Sequence, residues 1–343
     1  MSELRRDPIT GHWVVIAEGR SLRPNEYAAS PPPGSAEDCP FCEGQESRTP
    51  PEVAAVRPKG SRPGGPGWSV RAIPNKFPTL VPDSPPPAGS GPLPSHEARP
   101  GHGYHEVIIV SPRHLPALPF LPDEQVQSVV RMFRDRVREL ESRPKISGVV
   151  LFENYGPESG GTLVHPHAQV VATPVVPPLV AEEADSMRRY SSAHSDRCLL
   201  ESVAAEERRT KTRVLVDDGV FLAVAPFASG HPYEILLMPE RHSASITEAT
   251  DAELARLAQL LPALLRTQFA VVPSLSYNYF AHVAPVPKSS HPEFHWHIEI
   301  VPRLVRPDGF ELGSGILVNP VSPEAAASAL RAAYTAAATA GAR

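Results

Sequence analysis

Two histidines and a glutamine alternate along one short stretch of the chain. They are His165, His167 and Gln169, and the glycine pair Gly160–Gly161 precedes them. The neighbouring residues are apolar and β-branched, so the sequence predicts a strand entered from a tight turn, with the three polar side chains on one face. Pro166 favours an edge strand or a bulge, because proline cannot donate to a ladder. Two imidazoles and an amide are poor core material, and we interpret the stretch as an active-site strand.

A second group capable of chemistry is the Cys-Pro-Phe-Cys run formed by Cys39 and Cys42. The chain has three cysteines, the third being Cys198, so they cannot all pair with each other. The first residues contain no apolar run typical of a signal peptide, and we therefore expect a cytoplasmic protein. In that compartment a Cys-x-x-Cys run indicates metal or redox chemistry.

Composition excludes several classes of function. The chain has 343 residues, a net charge of -5 and a pI near 6.3. This length is enough for two domains with their own cores. The charge gives no support for a nucleic-acid partner, and no run of about 18 uncharged apolar residues predicts a membrane span. We expect a soluble enzyme whose clustered prolines lie in loops.

The elements that must position these groups can be predicted from periodicity. Strands are expected at 13–17, 104–110 and 149–154. Apolar residues at helical spacing predict a helix over 123–141 with Asp123 as its N-cap, and a second helix over 251–269. A helix linking the two parts of the chain is expected to begin near Glu182.

The pattern then repeats along the chain. Glu234–His242 echoes Glu106–His114, so that His114 and His242 are 128 positions apart. The two histidine pairs are displaced by 130 positions, as His165 and His295 show. Two near-equal offsets indicate an internal duplication. We predict an α+β fold of two tandem domains, residues 1–180 and 181–343, each an antiparallel sheet plus helices.

The His-Pro-His-Ala-Gln stretch, the Cys-x-x-Cys run, the Ser-Pro-Arg-His of residues 111–114 and the duplicated layout resemble the galactose-1-phosphate uridylyltransferase family of the histidine-triad superfamily. The resemblance covers most of the chain and implies two tandem histidine-triad-like domains. It implies that His167 attacks phosphorus, holds a nucleotidyl group covalently and passes it on, which suits a neutral, nucleophilic imidazole. The other ring nitrogen must then be a fixed donor, for example to a backbone carbonyl.

Other residues acquire roles from the same resemblance. Gln169 can donate its amide to a phosphoryl oxygen, and Thr162 with the backbone of the glycine pair can add N–H donors. The resemblance places further residues on the nucleotide and its phosphates: Arg20, Arg23, Asn75, Phe77 and Asn154.

The resemblance also implies metals. Cys39, Cys42, His114 and His165 make the Cys₂His₂ set that structural zinc prefers. In the second half two alternatives stay open for another ion, iron or zinc. One set is Glu183, His282, His295 and His297, which we favour because all four members are present. The other is a repeat of the zinc site: Cys198, His242 and His295, with Glu201 where the second cysteine would stand.

Three functions are compatible with these residues. The first is a double-displacement nucleotidyltransferase, with UDP-glucose and hexose 1-phosphate as the expected substrates, or ADP-glucose and phosphate as in the adenylyl-transferring branch. The C-terminal stretch 309–320 resembles that branch. The second is a nucleotide hydrolase, and the third is a non-catalytic, zinc-stabilised nucleotide-binding protein. The resemblance further implies a homodimer. In the second half, Glu299 occupies the position that Gln169 has in the first. An ionised carboxylate repels a phosphate and cannot donate a hydrogen bond to it, so we expect one catalytic centre per chain.

Overall fold

The structure, a computed structural model, describes residues 2–18, 39–85, 98–114, 117–272 and 274–341. The strands of the first half are β1 (Glu3–Arg6), β2 (Trp13–Ile16), β3 (Ala54–Val56), β4 (Val70–Pro74), β5 (Tyr104–Ile109), β6 (Gly148–Tyr155) and β7 (His167–Thr173). Those of the second half are β8 (Val214–Asp217), β9 (Phe221–Val224), β10 (Ile235–Pro239), β11 (Tyr277–His282), β12 (His297–Pro302) and β13 (Leu317–Asn319). The helices are α1 (Asp123–Glu141), α2 (Pro178–Ala193), α3 (Leu199–Thr210), α4 (Asp251–Val271), α5 (Gly309–Ser314) and α6 (Pro323–Gly341).

Ten strands form one sheet whose two halves mirror each other. The order is β3-β4-β5-β7-β6 followed by β11-β12-β10-β9-β8, so equivalent strands lie at equal distances from the β6–β11 junction. At that junction Phe152 pairs with Phe280 and Asn154 with Asn278. The predicted α+β fold of two tandem, duplicated histidine-triad-like units is therefore confirmed, and the two units share a single sheet. The division at residue 180 stays a prediction.

One face of the sheet carries the main core. Helices α1 and α4 occupy equivalent places, each between the third and fourth sheet strands of its half in chain order, and they pack against each other and share one core with the sheet. In α1 the apolar residues recur every three or four positions, and Val126, Val130 and Val137 are all buried. In β7, Ala168 and Val170 point toward this core and are completely buried. The opposite sheet face is thereby left for His167 and Gln169.

Helices α1 and α4 begin in different ways. Helix α1 has the predicted bounds, but Asp123 is its first residue rather than its cap, because Pro122 precedes it without a side-chain cap. At this position its carboxylate interacts favourably with the positive end of the helix dipole. Helix α4 begins with a capping box, in which the Thr250 hydroxyl accepts the Glu253 N–H at 3.2 Å and the Glu253 carboxylate accepts the Thr250 N–H at 2.7 Å.

The histidine strand lies inside the sheet. Strand β7 pairs with both β5 and β6, so the expectation of an edge strand or a bulge at Pro166 is wrong. The reason is that the first ladder pair of β7 and β5 is His167 with Ile109, so the proline precedes the ladder. Its carbonyl still accepts the Val110 N–H at 3.2 Å. The strand is thus held by β5 from its first residue and by β6 from Ala168 onward.

The two halves differ in what covers the site face. In the second half, α2 and α3 pack on it through a separate apolar cluster that includes Met187, Leu200 and Phe294.

The small sheet, in the order β1-β2-β13, joins the N-terminal strands to the C-terminal one, with Val318 beside Val15. No helix within the described ranges is long and apolar enough to cross a membrane.

Candidate active site

His167 begins β7 and is held in one tautomer by the chain itself. Its Nδ1 lies 2.8 Å from the carbonyl oxygen of His165, so Nδ1 carries the proton and donates it. The other nitrogen, Nε2, keeps its lone pair. The residue is 8% exposed, and burial lowers the pKa of the ring below its ordinary value. A neutral imidazole with a free Nε2 is the form that can attack phosphorus.

The turn before β7 folds back over the end of β6. Gly160 has φ +83°, and its N–H and that of Gly161 close the turn on the carbonyls of residues 157 and 156. A Cβ on Gly161 would lie 2.9 Å from the Gly156 oxygen and 3.1 Å from the Asn154 oxygen, so a larger residue would not fit. Thr162 follows as an exposed residue. The glycine pair therefore allows this turn to pack directly against the backbone at the end of β6.

Gln169 is oriented by a residue that the sequence did not single out. His105, on the neighbouring strand β5, places Nε2 2.8 Å from the Gln169 side-chain oxygen Oε1. Asn75, which follows β4, places its Nδ2 3.5 Å from the same oxygen. The structure thus brings Asn75 and Gln169 together as expected. His105 stands in a Tyr-His-Glu-Val strand, where alternation alone could have put it on the site face.

Asn154 lies at the junction of the two halves. Its Oδ1 accepts the Asn278 Nδ2–H at 2.7 Å, and the same amide also donates to the Ser159 carbonyl at 3.1 Å. A residue of the second half therefore fixes a site residue of the first. Sequence reasoning placed Asn154 but missed Asn278, because the pairing of β6 with β11 cannot be deduced from one sequence.

The remaining expected nucleotide-binding residues divide into two groups. Phe77 is 83% exposed, and its N–H donates to the Asn75 Oδ1 at 2.9 Å, so the ring lies at the rim beside Asn75. Arg20 and Arg23 lie outside the described residues.

The expected zinc ligands converge. The ligand atoms of Cys39, Cys42, His114 and His165 all lie within 4.8 Å of one another. The Cys42 sulfur is 3.6 Å from His114 Nδ1 and 3.5 Å from His165 Nδ1. Tetrahedral zinc with its usual Zn–S and Zn–N bonds would separate sulfur and nitrogen by about 3.5 Å, so the spacing fits the ion.

The protonation states also suit a cation at this place. His165 Nε2 donates to the Ser111 carbonyl at 2.7 Å, which leaves Nδ1 free to bind. Burial lowers the pKa of His165 to about 4. Burial and the neighbouring Cys39 raise the pKa of the Cys42 thiol to about 11, so a thiolate there needs a cation beside it.

A second group repeats this arrangement in the other half. Cys198, Glu201, His242 and His295 bring their ligand atoms within 4.8 Å. The Cys198 sulfur is 3.4 Å from His295 Nδ1, and His295 Nε2 donates to the Pro239 carbonyl at 3.0 Å, as His165 does to Ser111. The carboxylate of Glu201 stands where the first group has a second thiol.

The third group differs from the set favoured on the sequence. Glu183, His282 and His297 converge, but with Glu299 rather than His295. His295 precedes β12 and turns toward the end of β10, whereas His297 and Glu299 share the site face of β12 with His282 of β11. Both Glu183 Oε2 and His297 Nε2 are buried and have no hydrogen-bond partner among the described residues. Unpartnered buried atoms that face one another are suited to a cation.

A proton on His282 would balance the charge of Glu183 in this third group. Glu183 Oε1 lies 2.7 Å from His282 Nδ1. Burial opposes a charged ring, but the Glu183 carboxylate raises the pKa of His282 to about 9. Burial also raises the pKa of Glu299 to about 8. A proton on His282 therefore competes with any cation for these oxygens.

Comparison with known proteins agrees with this architecture. The model of the galactose-1-phosphate uridyl transferase N-terminal domain matches residues 1–177, and that of the C-terminal domain matches residues 183–336. These two matches, on a duplicated sheet that carries a buried histidine beside a Cys₂His₂ group, define the chain as one of the nucleotidyltransferase class. The chain belongs to the galactose-1-phosphate uridyl transferase family.

Two branches of relatives are similar over nearly their whole length. ADP-glucose phosphorylase of Arabidopsis thaliana is 31% identical, with 96% of this chain and 92% of the relative covered. Galactose-1-phosphate uridylyltransferase of Thermotoga maritima is 28% identical, with 96% and 98% covered. The crystal structure of the Arabidopsis enzyme with bound ADP-glucose gives a TM-score of 0.82 over 96% of this chain and 98% of that one, at 31% identity. A uridylyltransferase structure gives 0.76 over 98% and 99%, at 27% identity.

Proposed function

We propose that this protein is a nucleotidyltransferase that works by double displacement through His167. The observation that carries the proposal is the hydrogen bond from His167 Nδ1 to the His165 carbonyl, because it leaves Nε2 as a nucleophile. Gln169 lies two residues further on the same face, where its amide can meet charge that develops on a phosphoryl oxygen.

The two steps follow from this arrangement. In the first, the Nε2 lone pair of His167 attacks the α-phosphorus of a nucleotide sugar. A P–N bond forms, and the bond to the bridging oxygen breaks, so sugar 1-phosphate leaves with the electron pair. In the second, a phosphate oxygen of the acceptor attacks the same phosphorus, and the P–N bond breaks. Imidazole is restored with its proton still on Nδ1.

Zinc at the Cys39, Cys42, His114 and His165 group would have a structural role. It would fix His165 through Nδ1, and the carbonyl of that residue fixes His167. A second ion, iron or zinc, is proposed for the second half, at Glu183, His282, His297 and Glu299, where two buried atoms lack partners. Cytoplasmic location and a homodimer remain predictions.

We take UDP-glucose and galactose 1-phosphate as the first candidate substrates, because several relatives are named galactose-1-phosphate uridylyltransferase. Transfer of adenylyl from ADP-glucose to phosphate is the second candidate. It is favoured by a specific observation, the repeated group of Cys198, Glu201, His242 and His295, since the resemblance to the adenylyl-transferring branch implies a repeat of the first zinc site.

The test is incubation with a donor labelled in its α-phosphate, UDP-glucose or ADP-glucose, with no acceptor present. A transferase retains label on protein and releases it only when galactose 1-phosphate or inorganic phosphate is added. Labelling by UDP-glucose and release by galactose 1-phosphate would indicate the uridylyltransferase branch. Labelling by ADP-glucose and release by inorganic phosphate would indicate the adenylyl-transferring branch. Steady release of mononucleotide without acceptor would indicate a hydrolase, and absence of label and turnover would indicate a binding protein.

A further inference from the structure

His105 is the middle member of a chain of hydrogen bonds that starts at the backbone and ends at Gln169. The Thr79 N–H donates to His105 Nδ1 at 3.1 Å. A backbone amide can only donate, so Nδ1 must be unprotonated, and the ring proton must be on Nε2. That Nε2–H faces Gln169 Oε1 at 2.8 Å. The backbone at Thr79 therefore decides which end of the Gln169 amide His105 can hold.

The orientation of this amide matters for a reaction at phosphorus. A glutamine side chain can present either its oxygen or its NH₂ group, and only the NH₂ group stabilises negative charge on a phosphoryl oxygen. Asn75 Nδ2 lies between the two side chains, 3.1 Å from His105 Nε2 and 3.5 Å from Gln169 Oε1. Because the Thr79 N–H leaves the ring proton on Nε2, that nitrogen cannot accept from Asn75, so both donors are directed at Oε1. With Oε1 held in this way, the NH₂ group of Gln169 is directed away from His105.

We propose that His105 is a positioning residue, which sets the orientation of the Gln169 amide through the tautomer imposed by Thr79. This inference rests on the proposed transfer reaction and adds a residue to it. His105 does not itself touch the reacting atoms. Its neighbour His102 provides a matched control, because it binds the same 79–82 segment at the Pro82 carbonyl, at 2.7 Å, and its partners do not include Gln169.

A double-mutant cycle tests the proposal. The measured quantity is the single-turnover rate at which labelled donor modifies His167, in wild type, His105→Ala, Gln169→Ala and the double variant. Loss of an oxyanion donor costs about 10²–10³-fold in rate, and we expect His105→Ala to cost about 10-fold with little change in donor affinity. In the Gln169→Ala background the further cost of His105→Ala should vanish. Equal costs in both backgrounds would overturn the proposal.

Conservative variants separate positioning from packing. His105→Gln retains an amide donor and should recover most of the rate, whereas His105→Glu has only acceptors when ionised and should not. His102→Ala should leave the rate within about twofold of wild type. A rate loss in His102→Ala as large as that in His105→Ala would show that both histidines merely hold the segment, and the proposal would fail.

One measurement does not depend on activity. The nitrogen chemical shifts of ¹⁵N-labelled histidine, with His105 assigned by its absence in His105→Ala, report which ring nitrogen carries the proton. We expect the Nε2–H tautomer in the resting protein. A resting Nδ1–H tautomer would overturn the inference even if transfer is active. Absence of any labelling with a confirmed Nε2–H tautomer would instead remove the proposed function, while the orientation of Gln169 would stand.

Discussion

Glu153 offers a quantitative test of how the two halves are joined. It lies on β6 opposite Tyr279 of β11, and its side chain is 1% exposed. The Tyr277 hydroxyl donates to Oε1 at 3.2 Å, whereas Oε2 has no hydrogen-bond partner among the described residues. Burial raises the pKa of Glu153 from 4.5 to about 7. We expect Glu153→Gln to stabilise the protein above neutral pH, because it removes a charge that is hard to bury.

The size and sign of the effect follow from linkage. The folded state binds the proton of Glu153 more tightly than the unfolded state does. Its contribution is therefore fully present below pH 4.5 and is lost as the pH rises through about 7. The full difference in pKa corresponds to about 3 kcal/mol, at about 1.4 kcal/mol per pH unit. Between pH 5 and pH 8 the advantage of Glu153→Gln over wild type should grow by about 2–3 kcal/mol.

The assay is urea unfolding of both proteins at pH 5 and pH 8. The comparison is between the two proteins at each pH, so titration of other groups affects both equally. Glu124→Gln, at an exposed position of α1, serves as the control and should leave the pH dependence unchanged. If Glu153→Gln and wild type lose or gain stability in parallel from pH 5 to pH 8, then Glu153 is ionised in the folded protein and the reasoning is refuted.

Three further predictions concern the site. His167→Gly should abolish covalent labelling by donor while nucleotide sugar still binds in calorimetry, and undiminished turnover would remove the nucleophile assignment. Cys39→Ser should lower both zinc content and melting temperature, because a structural ion contributes folding energy; unchanged metal by elemental analysis would contradict the zinc site. Mass spectrometry of protein trapped with donor alone should find the nucleotidyl group only on the His167 peptide, and label on the His297 peptide would show a second centre.

The fold was largely predictable because the strong signals are local and repeated. The helix at Asp123–Glu141 and the internal duplication follow from periodicity and offsets within the chain. The position of the histidine strand within the sheet could not be predicted. A proline is compatible with an edge strand, and it is equally compatible with the place just before the first ladder pair of a central strand, which is where Pro166 lies. Only the pairing pattern distinguishes these two cases, and it depends on residues far apart in sequence.

The parts of the site that could be predicted are those in which the residue types themselves indicate the chemistry. The Cys₂His₂ group converges as the residue types indicate. His105 and Asn278 were missed because they act through other side chains, and such second contacts leave no spacing pattern in one sequence. The position of His295 was misassigned for a related reason. Alternation places it beside His297, but it precedes β12 and its ring faces the end of β10.

The duplication shows that surroundings, rather than the local histidine geometry, decide where chemistry can occur. His297 repeats the arrangement of His167, since its Nδ1 lies 3.0 Å from the carbonyl of the residue two positions earlier. Its Nε2, however, is 3.9 Å from carboxylate oxygens of both Glu183 and Glu299, and the ring has no exposed surface. Helix α2 supplies Glu183 and closes the face that no described helix covers in the first half. A phosphate would meet the Glu183 carboxylate and no entry there, so the same backbone geometry suits the proposed nucleophile in one half and, in the other, a closed group that is suited to a cation.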